Sequence, residues 1–310
     1  MQDSVPQPIR SEGASACLGE KTVRKRRIRV VAPAGPVDEK ALEAGLAVLS
    51  ERGYEVAEGR HVREKLGYLA GCDAARLADL QEAMNDNDAF AVWFARGGYG
   101  TARLLPDIRW NSNGSPKIVA GYSDATALHL WARRFANIQS LYAPSITELG
   151  RPGVALLPSL WAALDMDFAP VPGDGPSEPA GPFPIVGGCL TLCCASAGTF
   201  WAPETTGCWV FLEEVGEKLY RIDRMLIHLK QAGWFDKAAG LLLGAFTGLG
   251  DGETAKDVAA LAKELAPSGL PVVTGIPVGH ITGKHTLPFG VPTTWDGRFL
   301  RPLSQRSAIW

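Results

Sequence analysis

No apolar run in this 310-residue chain approaches the roughly 20 residues a transmembrane helix needs, so a helical spanning segment is excluded. The first 27 residues lack the apolar core of a secretory signal. Cysteine is sparse: Cys17, Cys72, Cys189, Cys193, Cys194 and Cys208 include no C-x-x-C pair matched by a second, so a zinc site has no support. Without a signal these thiols are expected to be reduced, several of them buried as small apolar side chains, in a cytoplasmic protein. The net charge of -2 gives no excess of either sign to steer the chain toward nucleic acid or a membrane surface. Nucleotide-binding loops are missing too. Arg103 stands where the third glycine of G-x-G-x-x-G belongs, and no Gly-Lys-Ser/Thr occurs. Neither an internal repeat nor a low-complexity segment is visible.

What is present describes a folded enzyme-sized protein. Hydrophobic content of 46% and charge content of 21% are those of a globular chain, and the length favours two domains over one core. A basic cluster, Lys21, Arg24, Lys25, Arg26, Arg27 and Arg29, has no interleaved aromatics and reads as a solvated tail. Residues 1–26 are therefore expected to be a flexible extension.

Beyond the tail, strand and helix signals alternate. Ile28 to Ala32 is a β-branched run closed by Pro33, Gly35 and Pro36. Asp38 is a plausible N-cap for a helix with Leu42, Leu46 and Leu49 on one face and Gly53 as its stop. A second helix spans about Asp73 to Met84, with strands at Ala89–Ala95 and Ile118–Tyr122. This rhythm predicts an α/β fold: a doubly wound parallel-sheet domain over 27–165, with sites at the carboxyl ends of its strands. The Pro-, Gly- and Asp-rich stretch 166–184 reads as a linker, and 185–310 as a smaller mixed α/β domain. In that second half, strands are expected at Cys208–Leu212, Gly240–Phe246 and near Val272 and Phe299, with helices around Ile222–Gly233 and Ala255–Leu265.

The most informative segment runs from Lys117 to His129. A short apolar strand ends at Ser123 and a helix begins directly after it, with Gly121 and Ala125 as small flanking residues. That places a hydroxyl at a sharp strand-to-helix turn beside unpaired helix amides, the setting of a nucleophile elbow. Serine is equally a favoured helix cap. A nucleophilic serine needs a base and an acceptor that orients the base. Of the five histidines, His61 lies in a charged stretch, His129 falls on another face of the serine's helix, and His228 sits in an apolar helix as a partly buried residue. His280, at the end of Gly275–Gly279, is the candidate base, and His285 competes with it. The run Val210-Phe211-Leu212 ends in Glu213 and Glu214, and alternation lets only one of them face the histidine. Glu213 is preferred. The loop Arg96-Gly97-Gly98-Tyr99-Gly100 follows an apolar strand and can bring backbone amides to an oxyanion.

Taken in order, Arg96–Gly100, Gly121-Tyr-Ser-Asp124, Phe211-Leu-Glu-Glu214 with Tyr220-Arg-Ile-Asp-Arg224, and Gly279-His280 with Leu287-Pro-Phe-Gly290 resemble the LD-carboxypeptidase family of serine peptidases from about Ile28 to Leu303. The resemblance implies a flavodoxin- or amidotransferase-like first domain and a Ser123–His280–Glu213 triad split between two domains. It also implies an oxyanion site of Gly97, Gly98 and Asp124 amides, no metal or organic cofactor, and a homodimer. The implied substrate is a murein tetrapeptide losing its terminal D-alanine in cell-wall recycling. Arg96, Arg221 and Arg224 are candidates for the terminal carboxylate, the last two being equally suited to surface ion pairs such as one with Asp223. One departure is Gly187-Gly188-Cys189 where the family commonly has Gly-Gly-Asn. Two rival readings remain. One is the related microcin-immunity branch, acting on an aminoacyl nucleotide, with Ser159-Leu-Trp161 and Phe200-Trp201 available for the nucleobase. The other is a non-catalytic two-lobed protein that closes on a small ligand.

Overall fold

The computed structural model describes residues 26–109, 118–136 and 138–304. The expected tail, with Cys17, Lys21, Arg24 and Lys25, lies outside these residues except for Arg26, as does Lys117.

Five parallel strands build the first sheet: β1 (Arg27–Val31), β2 (Glu55–Glu58), β3 (Ala89–Phe94), β4 (Ile118–Gly121) and β5 (Gln139–Tyr142). Central strands of such a sheet are covered on both faces, which is why β4 reads as one apolar run with every residue buried. Helices α1 (Glu39–Glu51), α2 (Asp73–Asn85), α3 (Thr126–Phe135), α4 (Ile146–Leu149) and α5 (Leu157–Leu164) connect and cover these strands. Asp38 caps α1 by accepting the Ala41 N–H at 2.9 Å, and Gly53 follows the helix at φ 97°. The basic residues at the start of β1 are neutralised locally. Arg26 pairs with Asp165, Arg27 with Glu55, and Arg29 with Glu82 and Asp86.

The second half contains β6 (Val171–Pro172), β7 (Ala180–Cys189), α6 (Leu190–Ser196), β8 (Trp209–Val215), α7 (Leu219–Gln231), β9 (Gly240–Thr247), α8 (Ala255–Leu265) and β10 (Val272–Val273), followed by β11 (Leu287–Phe289), β12 (Pro292–Trp295) and β13 (Phe299–Pro302). The second sheet has the order β10-β9-β8-β7-β12-β13-β6, parallel from β7 to β10 and antiparallel from β7 through β12 and β13 to β6. The first sheet has the order β11-β5-β4-β3-β1-β2, so a strand from the second half closes its edge, antiparallel to β5.

Two segments differ from the sequence reading. The stretch 166–184 is not plain linker: it holds β6 and the first half of β7. Pro172 fits there because β6 is an edge strand, where a missing N–H costs no ladder bond. Strand β8 runs through both glutamates to Val215 instead of stopping before them, because each carboxylate finds donors in the interior.

Helix α3 is buried at every position from Thr126 to Ala132. It lies between the two halves: one continuous apolar cluster joins Val31, Phe94, Leu128 and Trp131 to Leu190, Leu212, Leu226 and Leu243. The helix that follows Ser123 is thus fixed from both sides. Among the described residues, no helix is long and apolar enough to cross a membrane.

Candidate active site

Ser123 occupies the left-handed region at φ 61°, which is costly for a residue with a Cβ and is typically held in place at functional turns. Gly121 before it has φ 155°, and a Cβ there would meet Phe94 Cβ at 2.9 Å and Ala125 Cβ at 3.0 Å. The strand and helix therefore approach as closely as the small flanking residues suggest. No side chain caps this helix start, so Ser123 is not acting as an N-cap.

Glu213 and His280 meet across the second half of the chain. Glu213 is fully buried, and its Oε2 accepts from His280 Nδ1 at 2.8 Å and from the His280 backbone N–H at 3.1 Å. With the carboxylate ionised, Nδ1 carries the proton and Nε2 is left as the acceptor. Gly279, at φ 124°, is required here, because a Cβ would collide with Glu213 Oε2. Glu214 points the other way. Its Oε2 accepts from Thr191 N and Oγ1, both at 2.8 Å, and Cys189 Sγ faces it at 3.5–3.6 Å. Burial pushes the Cys189 thiol well above its ordinary value, so it stays protonated beside that carboxylate. Residue 189 thus offers Glu214 a weak thiol donor.

Tyr142, which sequence reasoning missed, joins the two halves of the site. Its hydroxyl donates to Glu213 Oε1 at 2.6 Å and accepts the Ser123 N–H at 3.2 Å. Burial first, then the neighbouring Glu213 charge, push the phenol well above its ordinary value, so it remains a donor. The signal available in the sequence was a tyrosine at the carboxyl end of a short strand, where sheet sites form. Tyr122, next to Ser123, brings its ring to 4.7 Å from the His280 imidazole. Ser123, Glu213 and His280 are therefore neighbours, although no direct hydrogen bond links Ser123 to His280 among the described residues.

The glycine loop lies against the serine. A Cβ on Gly97 would sit 2.9 Å from Ser123 Cβ and 3.1 Å from its Oγ. The Gly97 carbonyl accepts from Gly35 N–H at 3.1 Å, and across a trans peptide the Gly98 N–H points the opposite way. Asp124 is fully buried, and its Oδ2 accepts the Thr101 N–H at 2.8 Å, tying the loop to the elbow. Burial raises that carboxyl above its ordinary range.

Residues 28–143 match the LD-carboxypeptidase N-terminal domain, and residues 184–294 match the LD-carboxypeptidase C-terminal domain. A putative carboxypeptidase of Streptomyces coelicolor is 38% identical over 87% of this chain and 90% of its own length. The chain belongs to the LD-carboxypeptidase family. A murein tetrapeptide carboxypeptidase of Pseudomonas aeruginosa is 31% identical over 89% of this chain and 94% of its own. Among solved structures, this LD-carboxypeptidase chain is similar to a muramoyltetrapeptide carboxypeptidase from Oxalobacter formigenes, with a TM-score of 0.77, 28% identity, and coverage of 88% of this chain and 97% of the other. The microcin C7 self-immunity protein in complex with aspartyl sulfamoyl adenosine shares the fold, with a TM-score of 0.79 at 19% identity, covering 90% and 96% of the two chains.

The remaining candidates of this family member scatter. His129 is buried and bonds the Gly121 carbonyl at 2.9 Å, and His61 bonds Asp79 at 2.8 Å. His228 is exposed on α7, where a partly buried position was expected, because the apolar stripe of α7 runs through Ile222, Leu226 and Leu229 instead. His285 is half-buried, and burial lowers its proton affinity. Arg96 lines a cleft of about 560 Å³ with Lys65, Tyr68, Tyr99 and Gly98, beside the glycine loop. Arg221 pairs with Glu217, one helical turn away, and not with Asp223. Arg224 is exposed. Trp161 and Trp201 pack into apolar clusters, which leaves Phe200 as the exposed aromatic of those two stretches.

Proposed function

We propose that this chain is a serine LD-carboxypeptidase that hydrolyses the L-to-D peptide bond of a murein tetrapeptide and releases terminal D-alanine. The observation that carries the reading is the left-handed Ser123, joined through the Tyr142 hydroxyl to the Glu213–His280 couple of the other half. In this mechanism His280 Nε2 takes the Ser123 proton as Oγ attacks the scissile carbonyl. Glu213 holds the imidazole in the required tautomer and supports the imidazolium that forms. The Gly98 and Asp124 amides, with Gly97 as the alternate donor, receive the oxyanion. His280 then protonates the departing D-alanine amine, and water, activated by the same histidine, releases the acyl group. Apart from the hydrolytic water, each proposed step draws on side chains and amides of this chain.

A carboxypeptidase must also bind a free carboxylate. Arg96 and Lys65 supply cations in the cleft beside Gly98, which favours Arg96 over Arg221 and Arg224 for this role. The substrate is taken to be a cytoplasmic fragment from cell-wall recycling. A homodimer is the family expectation, and sedimentation of the purified chain tests it.

The deciding experiment compares D-alanine release by the intact chain and by Ser123→Ala. Release by the intact chain alone supports the reading. Release by both discards the triad. Release by neither, together with turnover of an acyl-sulfamoyl adenylate, moves the chain to the microcin-immunity branch. Tight ligand binding without turnover indicates a binding protein.

A further inference from the structure

The mechanism above leaves unused a lysine buried four residues beyond His280. Lys284 is 3% exposed, and its Nζ donates to Glu148 Oε1 at 2.8 Å, an ion pair spanning 136 positions of chain. The same Nζ stands 4.1 Å from the centroid of the Tyr122 ring, a cation–π contact inside the protein. Glu148 Oε1 also accepts the Tyr122 hydroxyl at 2.8 Å. Its Oε2 is taken by Ser145, through N–H at 3.0 Å and Oγ at 3.1 Å. Backbone bonds fix the lysine's loop as well: Gly283 N–H donates to Gly153 O at 2.7 Å, and Leu156 N–H to Lys284 O at 3.0 Å.

These contacts close a ring. Tyr122 precedes Ser123, and its hydroxyl is held by Glu148. Glu148 holds Lys284, whose loop carries His280, and the His280 imidazole returns to the Tyr122 ring at 4.7 Å. A buried ion pair is a poor source of stability, because desolvating both ions offsets most of their attraction. Its use here is geometric: it ties helix α4 to the loop between β10 and β11 at one point.

We propose that Glu148 and Lys284 are positioning residues that act through Tyr122 to hold the His280 loop against the Ser123 elbow. Neither touches substrate. Burial opposes ionisation of Glu148, but the Lys284 charge and the donors around the carboxylate outweigh it and hold the group below its ordinary value. Glu148 is therefore ionised at neutral pH. The proposal rests on the acyl-transfer reading of Ser123.

The test uses Lys284→Met, Glu148→Gln and the double variant in the full chain. Readouts are the rate of Ser123 labelling by a fluorophosphonate, kcat and KM for D-alanine release, and the melting temperature. Each single variant is expected to lose on the order of ten- to hundredfold in kcat and labelling rate, with KM little changed, because the base is displaced relative to the nucleophile. The double variant leaves no orphaned ion and is expected to melt near the wild type while staying as slow as the single variants, a non-additive pattern. Recovery of wild-type kcat and labelling in the double variant overturns the proposal, since the pair would then serve only charge compensation. A wild-type chain that neither takes the probe at Ser123 nor releases D-alanine overturns the acyl-transfer reading, and the clamp with it. A labelled wild type matched by an equally fast double variant overturns the clamp alone.

Discussion

Gly97→Ala is the sharpest test of the elbow, because the added methyl group lands on Ser123, the proposed nucleophile. Its Cβ would lie 2.9 Å from Ser123 Cβ and 3.1 Å from Oγ. Ordinary carbon–carbon contact is about 3.5–4.0 Å, so the overlap is roughly 0.6–1 Å. Gly97 is not in the left-handed region, so alanine suffers no backbone strain there, and the whole effect is steric. Neither side yields easily. Ser123 is anchored by its φ of 61° and by the Tyr142 hydroxyl, while Gly97 is tied to Gly35 through its carbonyl. Overpacking of this size costs about 1–3 kcal/mol of stability. A displacement approaching 1 Å at the reacting atom costs about 10²-fold in rate. The expected result is a roughly hundredfold fall in kcat/KM for D-alanine release with a melting temperature lowered by only a few degrees. Wild-type turnover in a folded Gly97→Ala protein would refute the placement of the chemistry at Ser123.

Glu213→Gln keeps the shape of the site but removes the charge proposed to support His280. Turnover is expected to fall by roughly 10³- to 10⁴-fold, measured as kcat, with the fold retained by circular dichroism. Tyr142→Phe takes a donor from the buried Glu213 and an acceptor from the Ser123 N–H. A loss of about 1.5–3 kcal/mol is expected in urea unfolding, together with slower acylation. His129 gives a pH signature. Burial lowers its pKa from 6.5 to about 4, so between these values the unfolded chain binds the extra proton. Its contribution to stability is therefore full above pH 6.5 and declines by about 3 kcal/mol as pH falls to 4. His129→Leu removes the titrating imidazole and should flatten that part of the stability-versus-pH curve, while Gly121 O keeps a second donor in the Ala143 N–H. An unchanged acid slope in that variant would show that other groups set it.

The strain at Ser123 is held by structure on both sides of the turn. Before it, Gly121 lets β4 pass close to Phe94; after it, α3 is wedged between the two halves. A serine in the left-handed region would relax if either support were loose. The cost is carried by the apolar cluster that both halves share, so the elbow and the couple that faces it are set by one core.

Much of this protein was decided locally and was therefore readable from residue order. Asp38 before a run of leucines, Gly53 after it, apolar strands at Ala89 and Ile118, and Gly121 and Ala125 about Ser123 each act within a few residues of themselves. Alternation along β8 also foretold that only one glutamate would face the histidine, though both being buried was not foreseen. Tertiary structure decided the rest. Tyr142 meets Glu213 across 71 positions and Lys284 meets Glu148 across 136, and no period or spacing relates such residues. The strand at Leu287–Phe289 leaves its own half to pair with β5, a choice made by the open sheet edge and not by its three residues. The sequence by itself specified the turn at Ser123 and the elements around it. Which side chains close upon that turn was settled only when distant segments packed together, because their contacts depend on loop closure and shared burial and not on local geometry.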